Sequence, residues 1–191
     1  MSKYTKARIM ETFLGLLNEK SMDRLTVKEI IENAEVNRNT FYYHFEDIYD
    51  LLYQVFKKKL EDFCNKGKMG DTFYEAYIRS AEFLMENKKA MFHIYHSKDK
   101  ELLQTYIEKM TAILVEQFVR EAAASYEIPE EGIAYLTRFY SYSFVGNAMH
   151  WIQEGMAPYQ EHDLFLASKL FEDSIDNLIQ SYLRNQESAK T

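Results

Sequence analysis

Between positions 37 and 44 the chain gathers Asn37, Arg38, Asn39, Thr40, Tyr42, Tyr43 and His44. Guanidinium, amide, hydroxyl, phenol and imidazole groups on one short protruding helix suit a major groove, where base edges and phosphates both need hydrogen-bond partners. Burying Phe41, Tyr42, Tyr43 and Phe45 together would require two faces of a seven-residue helix. A plain bundle corner therefore gives this aromatic surface no packing rationale. Other chemistry is poorly represented. No Gly-rich phosphate loop, Gly-x-Ser-x-Gly or His-Glu-x-x-His pattern occurs, so no catalytic set and no enzyme are expected. His93 and His96 have a spacing that shares a helix face, but no Cys or carboxylate motif completes a ligand set. Neither a metal site nor a cofactor is expected. Cys64 lacks the surroundings of a nucleophile and should pack or lie exposed.

The elements that must position this donor set are helical. Only 6 Gly and 2 Pro interrupt 191 residues, and both prolines, Pro129 and Pro158, come late. A first helix over 3–19 carries Ile9, Phe13, Leu16 and Leu17 on one face. After a polar break at 20–25, Thr26 and Glu29 read as a capping box opening a short helix through Ala34 that buries Val27, Ile30 and Ile31. Asn37 caps the next short helix. A longer helix bearing Ile48, Leu51, Leu52, Val55 and Phe56 then runs to about Cys64. Helices this short are unstable alone, so the first helix and the one after Ile48 must hold them.

The segment from Thr26 to Phe45 resembles the TetR-family DNA-binding domain. A Thr-capped helix is followed by Ala34-Glu35-Val36-Asn37 and then Thr40-Phe41-Tyr42-Tyr43-His44-Phe45. The resemblance, covering about residues 5–56, implies phosphate contacts for Thr26, Thr40, Tyr42 and His44. It places Arg38, Asn39 and Tyr43 nearest the bases, with Lys28 and Asn37 completing the DNA-binding set. Phe41 and Phe45 are implied to lock the reading helix to the core. Three positions depart from the family pattern. Glu35 stands where Gly is usual and brings a negative charge near DNA. Asn37 replaces the usual Ser without harm, and Ile48 replaces a frequent Lys, removing one phosphate contact.

Charge is unevenly distributed. Net charge is −7, but residues 1–60 hold 10 Lys/Arg against 9 Asp/Glu, so the acidic excess belongs to the rest of the chain. A near-neutral reader with its basic groups on one face can still bind DNA, though it should hold non-specific DNA weakly. No apolar run reaches the ~18 residues of a membrane span, and the N-terminal residues lack a secretory pattern. With a single cysteine, these features favour the cytoplasm and no membrane partner.

The expected fold class is all-α. A helix-turn-helix domain with its linking helix occupies 1–64 and a helical ligand-binding and dimerisation domain 71–191, divided at the Gly67/Gly70 break. Five further helices are expected at 72–86, 89–95, 100–125, 130–154 and 163–184. Asp99 should cap the third, Pro129 should open the fourth and Gly155 should end it. The apolar stripes of the last two helices are wider than one packing face, which predicts a second covered surface. The resemblance makes that surface a homodimer interface, here assigned to Val145, Met149, Ile152, Phe171, Ile175 and Leu178. Aromatic abundance points to a pocket for a small apolar or aromatic effector, here assigned to Tyr77, His93, Tyr106, Phe139, Tyr142 and His150. The stretch from Gly146 to Met156 resembles the C-terminal domain of regulators related to dihydroxyacetone-kinase activators. The expected function is a dimeric repressor on palindromic double-stranded operator DNA. The alternative is an activator or adaptor whose C-terminal half binds a protein.

Overall fold

The computed structural model describes residues 2–66, 72–157 and 161–188. Over them run α1 (Ser2–Glu19), a 3-10 turn (Met22–Arg24), α2 (Val27–Asn33), α3 (Arg38–His44), α4 (Ile48–Lys66), α5 (Phe73–Glu86), α6 (Lys88–Tyr95), α7 (Lys100–Ala123), α8 (Glu130–Gln153) and α9 (Glu161–Ser188). No strand occurs among the described residues, and the chain is all-α as expected. The boundary predicted at the Gly67/Gly70 break lies outside the described residues. Among those described, no helix is long and apolar enough to cross a membrane.

The caps differ from expectation in three places. Thr26 accepts the Glu29 amide at 3.3 Å, but Glu29 turns its carboxylate to the Lys20 ammonium instead of returning it to the cap. The ion pair across the 20–25 break outcompetes the second arm of the box. That break is itself anchored, because Met22 and Leu25 are buried. Asp99 makes no side-chain capping bond to α7. The complete capping box belongs to α5, where Thr72 and Glu75 satisfy each other's amides at 2.8 and 3.2 Å. Pro129 serves as the N-cap of α8, one position earlier than expected. Gly155 does end that helix. Its φ of 74° lets the amides of Gly155 and Met156 return to the carbonyls of Ile152 and Trp151.

Two apolar cores hold the helices. The first joins Ile9, Phe13, Leu17, Ile30, Phe41, Phe45, Leu51 and Phe56 to Met91, Ile94, Tyr106 and Ile152. It therefore runs without interruption from α1–α4 into α6, α7 and the end of α8. The second lies among α5, α7, α8 and α9 around Phe73, Phe144 and Phe171. The reader head therefore shares its core with the rest of the chain. The sequence break and the packing boundary are different things here.

Candidate nucleic-acid interface

Helix α3 is seven residues long and owes its position to side chains facing inward. Phe41 and Phe45 are fully buried, with ring centroids 5.6 Å apart, and Ala34 and Ile30 beside them exclude water. At its start, Asn37 Oδ1 accepts the Thr40 amide at 2.8 Å and the Thr40 hydroxyl at 3.0 Å. The turn before it is a helix end of the kind glycine normally makes. Glu35 holds φ 49°, its amide returns to Glu32, and the Val36 amide returns to the carbonyl of Ile31 at 3.0 Å. Arg8 of α1 donates to the Glu35 carbonyl at 3.3 Å, tying the turn to the first helix. Glutamate thus occupies a conformation that L side chains disfavour.

The outward face of α3 carries the predicted readers. Tyr43 is 77% exposed and Tyr42 46%, with Arg38 and Asn39 exposed beside them. Arg38 folds over Tyr42, its guanidinium 5.6 Å from the ring centre and 3.5 Å from the phenol oxygen. Tyr43 and His44 meet edge to face at 4.9 Å. Burial, and then the Lys6 ammonium, hold the His44 imidazole below its ordinary range, so the free protein keeps it neutral more readily than an exposed histidine. Lys28 is exposed and only loosely paired with Glu32, at 3.9 Å.

These contacts refine the roles assigned from sequence. Thr26 accepts at its oxygen, which leaves its hydroxyl hydrogen available as a donor. Thr40 already donates that hydrogen to Asn37, so the pair acts first as the brace of the helix start. Asn37 retains its amide donors. Behind α3, Gln54 of α4 reaches the His44 carbonyl at 3.4 Å and bonds Asp50 at 2.8 Å, while Asp47 accepts the Tyr49 and Asp50 amides at 2.8 Å each. Ile48 opens α4 within this cap, half-buried against the first core.

The residues assigned to an effector pocket do not converge. His93 packs at the junction with α1, where its Nδ1 stands 2.7 Å from the Leu17 carbonyl. Tyr77 lies against Phe73 and Phe144. Tyr106 stacks on Phe56. Phe139, Tyr142 and His150 lie on the outer, exposed face of α8. The space left around Tyr77, Met110, Phe144 and Trp151 is only about 20 Å³. Large aromatic side chains fill this part of the interior.

The dimer assignment shifts as well. Val145, Ile152, Phe171 and Ile175 are buried inside the protomer, and Met149 and Leu178 are half-buried against its two cores. The large apolar residues that α8 and α9 expose instead are Tyr135, Phe139, Tyr142, Leu166 and Leu170, together with Phe165, which meets the Tyr74 ring edge to face at 5.6 Å. The two stripes sit on neighbouring helices joined by the Tyr140–Ser174 hydrogen bond at 2.9 Å. Sequence reasoning missed this face because periodicity reports burial and not its partner. It also missed the junction residue Asn18, for which the sequence carries no signal.

A protruding helix with exposed donors, presented on a tight turn and braced from behind by two buried phenylalanines, defines a helix-turn-helix DNA-binding transcriptional regulator. Residues 9–55 match the family described as bacterial regulatory proteins, tetR family, and residues 71–173 match the transcriptional regulator C-terminal region. The chain belongs to the tetR family of bacterial regulatory proteins.

A curated relative, the uncharacterized HTH-type transcriptional regulator YxbF of Bacillus subtilis (strain 168), is 27% identical over 93 residues, or 49% of this chain. The match spans 23% of that relative's length. Among solved structures, the dihydroxyacetone kinase operon activator DhaS shares the fold with a TM-score of 0.67 at 16% identity. The superposition covers 94% of this chain and 96% of that one.

Proposed function

We propose that the protein acts as a homodimer on a palindromic operator and represses transcription, with a small apolar or aromatic effector controlling release. The observation that carries this reading is the pairing of one exposed reader helix with one exposed apolar face. A single seven-residue helix reads too few base pairs for useful specificity, so two heads must be joined. The Tyr135, Phe139, Tyr142, Leu166 and Leu170 face is the surface on this chain best suited to join them. Exposed aromatics of that density are costly in water and favour burial against a second copy. The cytoplasm is the compartment this reading requires.

Selection of bound sequences from a random duplex library tests it. The expected product is a palindrome whose half-sites lie about one helical turn apart. Sedimentation should give a dimer for the wild type and a monomer for Tyr142→Glu with Leu170→Glu. Enrichment of no sequence at low salt would defeat the operator reading.

A second reading has its own support. Only about 20 Å³ is left among α5, α7 and α8, and the structurally similar DhaS is named an activator. On that reading the C-terminal half binds a protein partner and recruits transcription. Reporter expression that falls on deletion of the gene would favour it; expression that rises would favour repression.

A further inference from the structure

A cleft of about 240 Å³ opens between α4 and α7. Phe56, Leu60, Leu102 and Tyr106 line it with apolar surface, and Lys57 and Lys109 are its only charged lining residues. That charge pattern runs against the composition of the chain, which carries 30 acidic groups against 23 basic ones. The neighbouring lysines on α4 are engaged, Lys58 by Asp62 at 2.5 Å and Lys59 over the Phe83 ring at 5.0 Å. Lys57 and Lys109 make no ion pair, hydrogen bond or ring contact among the described residues.

The apolar wall is rigid and carries an under-satisfied donor. Phe56 and Tyr106 stack at 4.5 Å with their planes 15° apart. The Tyr106 phenol is buried, and its one partner among the described residues is the Met110 thioether at 3.5 Å, a weak acceptor. Tyr106 also lines a second cleft of about 170 Å³ between α4, α5 and α7, so its ring is the wall the two spaces share. An apolar cavity of about 150 Å³ accepts a benzene-sized ligand. The outer cleft therefore has room for such a body together with an acid group.

We propose that this cleft binds a small carboxylic acid with an apolar or aromatic body, and that this is the chemical class of the effector. The carboxylate sits between the Lys57 and Lys109 ammonium groups, and the body lies along Leu102, Leu60 and the Phe56–Tyr106 stack. Two charge-assisted contacts at the mouth of an apolar slot select an acid over its neutral amide. Helix α4 starts four residues beyond the end of α3, so a ligand wedged between α4 and α7 acts on the strut behind the reader helix. The regulatory consequence rests on the effector reading above; the binding site does not.

The test is calorimetric titration of the full chain with octanoate and benzoate, beside octanamide and benzamide. At least one acid should bind saturably, and its amide should bind tenfold more weakly or worse. Lys57→Gln with Lys109→Gln should weaken acid binding by about tenfold or more while leaving the melting temperature and DNA binding in place. Thr105→Trp, which fills the cleft from an exposed position, should block the acid with both lysines still present. Equal binding of acids and amides would overturn the proposal, as would an unchanged acid affinity in the double variant or no binding of either acid. DNA affinity measured with and without the acid separates the two claims. An acid that binds as described but leaves DNA affinity unchanged supports the site and defeats the effector reading. A DNA response to the neutral amide that survives in the double variant supports an effector and overturns this site.

Discussion

The side-chain oxygen of Asn18, in the last turn of α1, accepts the backbone amide of Ala90 at 3.1 Å, so α6 is capped by a residue 72 positions earlier. Ala90 is the third residue of α6 and is buried, and Asn87 at the local cap position makes no capping bond. Asn18 is itself oriented by donating to the Leu14 carbonyl at 3.0 Å. One turn further along α6, the His93 imidazole meets the Leu17 carbonyl. The reader head is thus joined to α6 by directional bonds as well as by shared core. Replacing Asn18 by Ala orphans a buried amide and should cost about 1–2 kcal/mol in urea unfolding. A loss below about 0.3 kcal/mol would mean that water replaces the cap.

Glu35 holds a left-handed conformation in the turn between α2 and α3. Glycine there would relieve the strain at no cost to the returning amides, which are main-chain groups. Glu35→Gly is expected to stabilise the fold by up to about 1 kcal/mol. It also removes an anion from the DNA-facing side, so binding to non-specific duplex should tighten. A variant less stable than the wild type would show that the glutamate side chain holds the turn.

Tyr43 and Phe41 are two residues apart and should separate reading from folding. Tyr43 is exposed and Phe41 is buried. Tyr43→Ala should leave unfolding free energy within about 0.5 kcal/mol while weakening specific DNA binding by about tenfold or more. Phe41→Ala should cost about 3–5 kcal/mol by opening the core under α3. Fluorescence anisotropy on the selected duplex and thermal melts distinguish them. Full DNA affinity in the Tyr43 variant would defeat the assignment of the reader face.

The reader was legible because its constraints are local. A cap at Asn37, anchors at Phe41 and Phe45 and exposed donors between them all follow from neighbours within one helix turn. The C-terminal assignments were harder to read because they depend on what lies opposite. Ile152 and Phe171 satisfy the same periodicity whether they face α5, α7 or a second copy. Tyr106 reads as one aromatic among many until Phe56 is seen stacked on it. Asn18 carries no signal at all, since its partner is 72 residues away and is a backbone amide.

Asp99 lies where the α6–α7 connection meets the reader head, with one carboxylate oxygen buried and lacking a hydrogen-bond partner. Burial pushes its pKa above the ordinary carboxylate value; Lys98 opposes this and the nearby Asp23 adds to it. The folded chain therefore holds this proton more tightly than the unfolded chain. That advantage exists at low pH and is lost as pH rises through the carboxylate range. Asp99→Asn should accordingly be more stable than the wild type at neutral pH by about 1 kcal/mol or less, the group being partly exposed. The difference should shrink as pH falls below that range. A difference that stays constant across pH would point to packing instead of charge.

His44 offers a proton-linked readout of DNA contact. In the free protein burial and Lys6 keep its imidazole below the ordinary range. A phosphate beside it would favour the protonated ring, so its proton affinity rises in the complex and binding takes up a proton. By linkage, affinity must then increase as pH falls through the window between the free and bound values. The expected result is tighter binding at pH 6 than at pH 8, by up to about tenfold per unit within that window. His44→Gln, which keeps a hydrogen-bonding group but cannot titrate, should flatten the profile. If its profile matches the wild type, the proton is taken up elsewhere and His44 does not face the phosphate backbone.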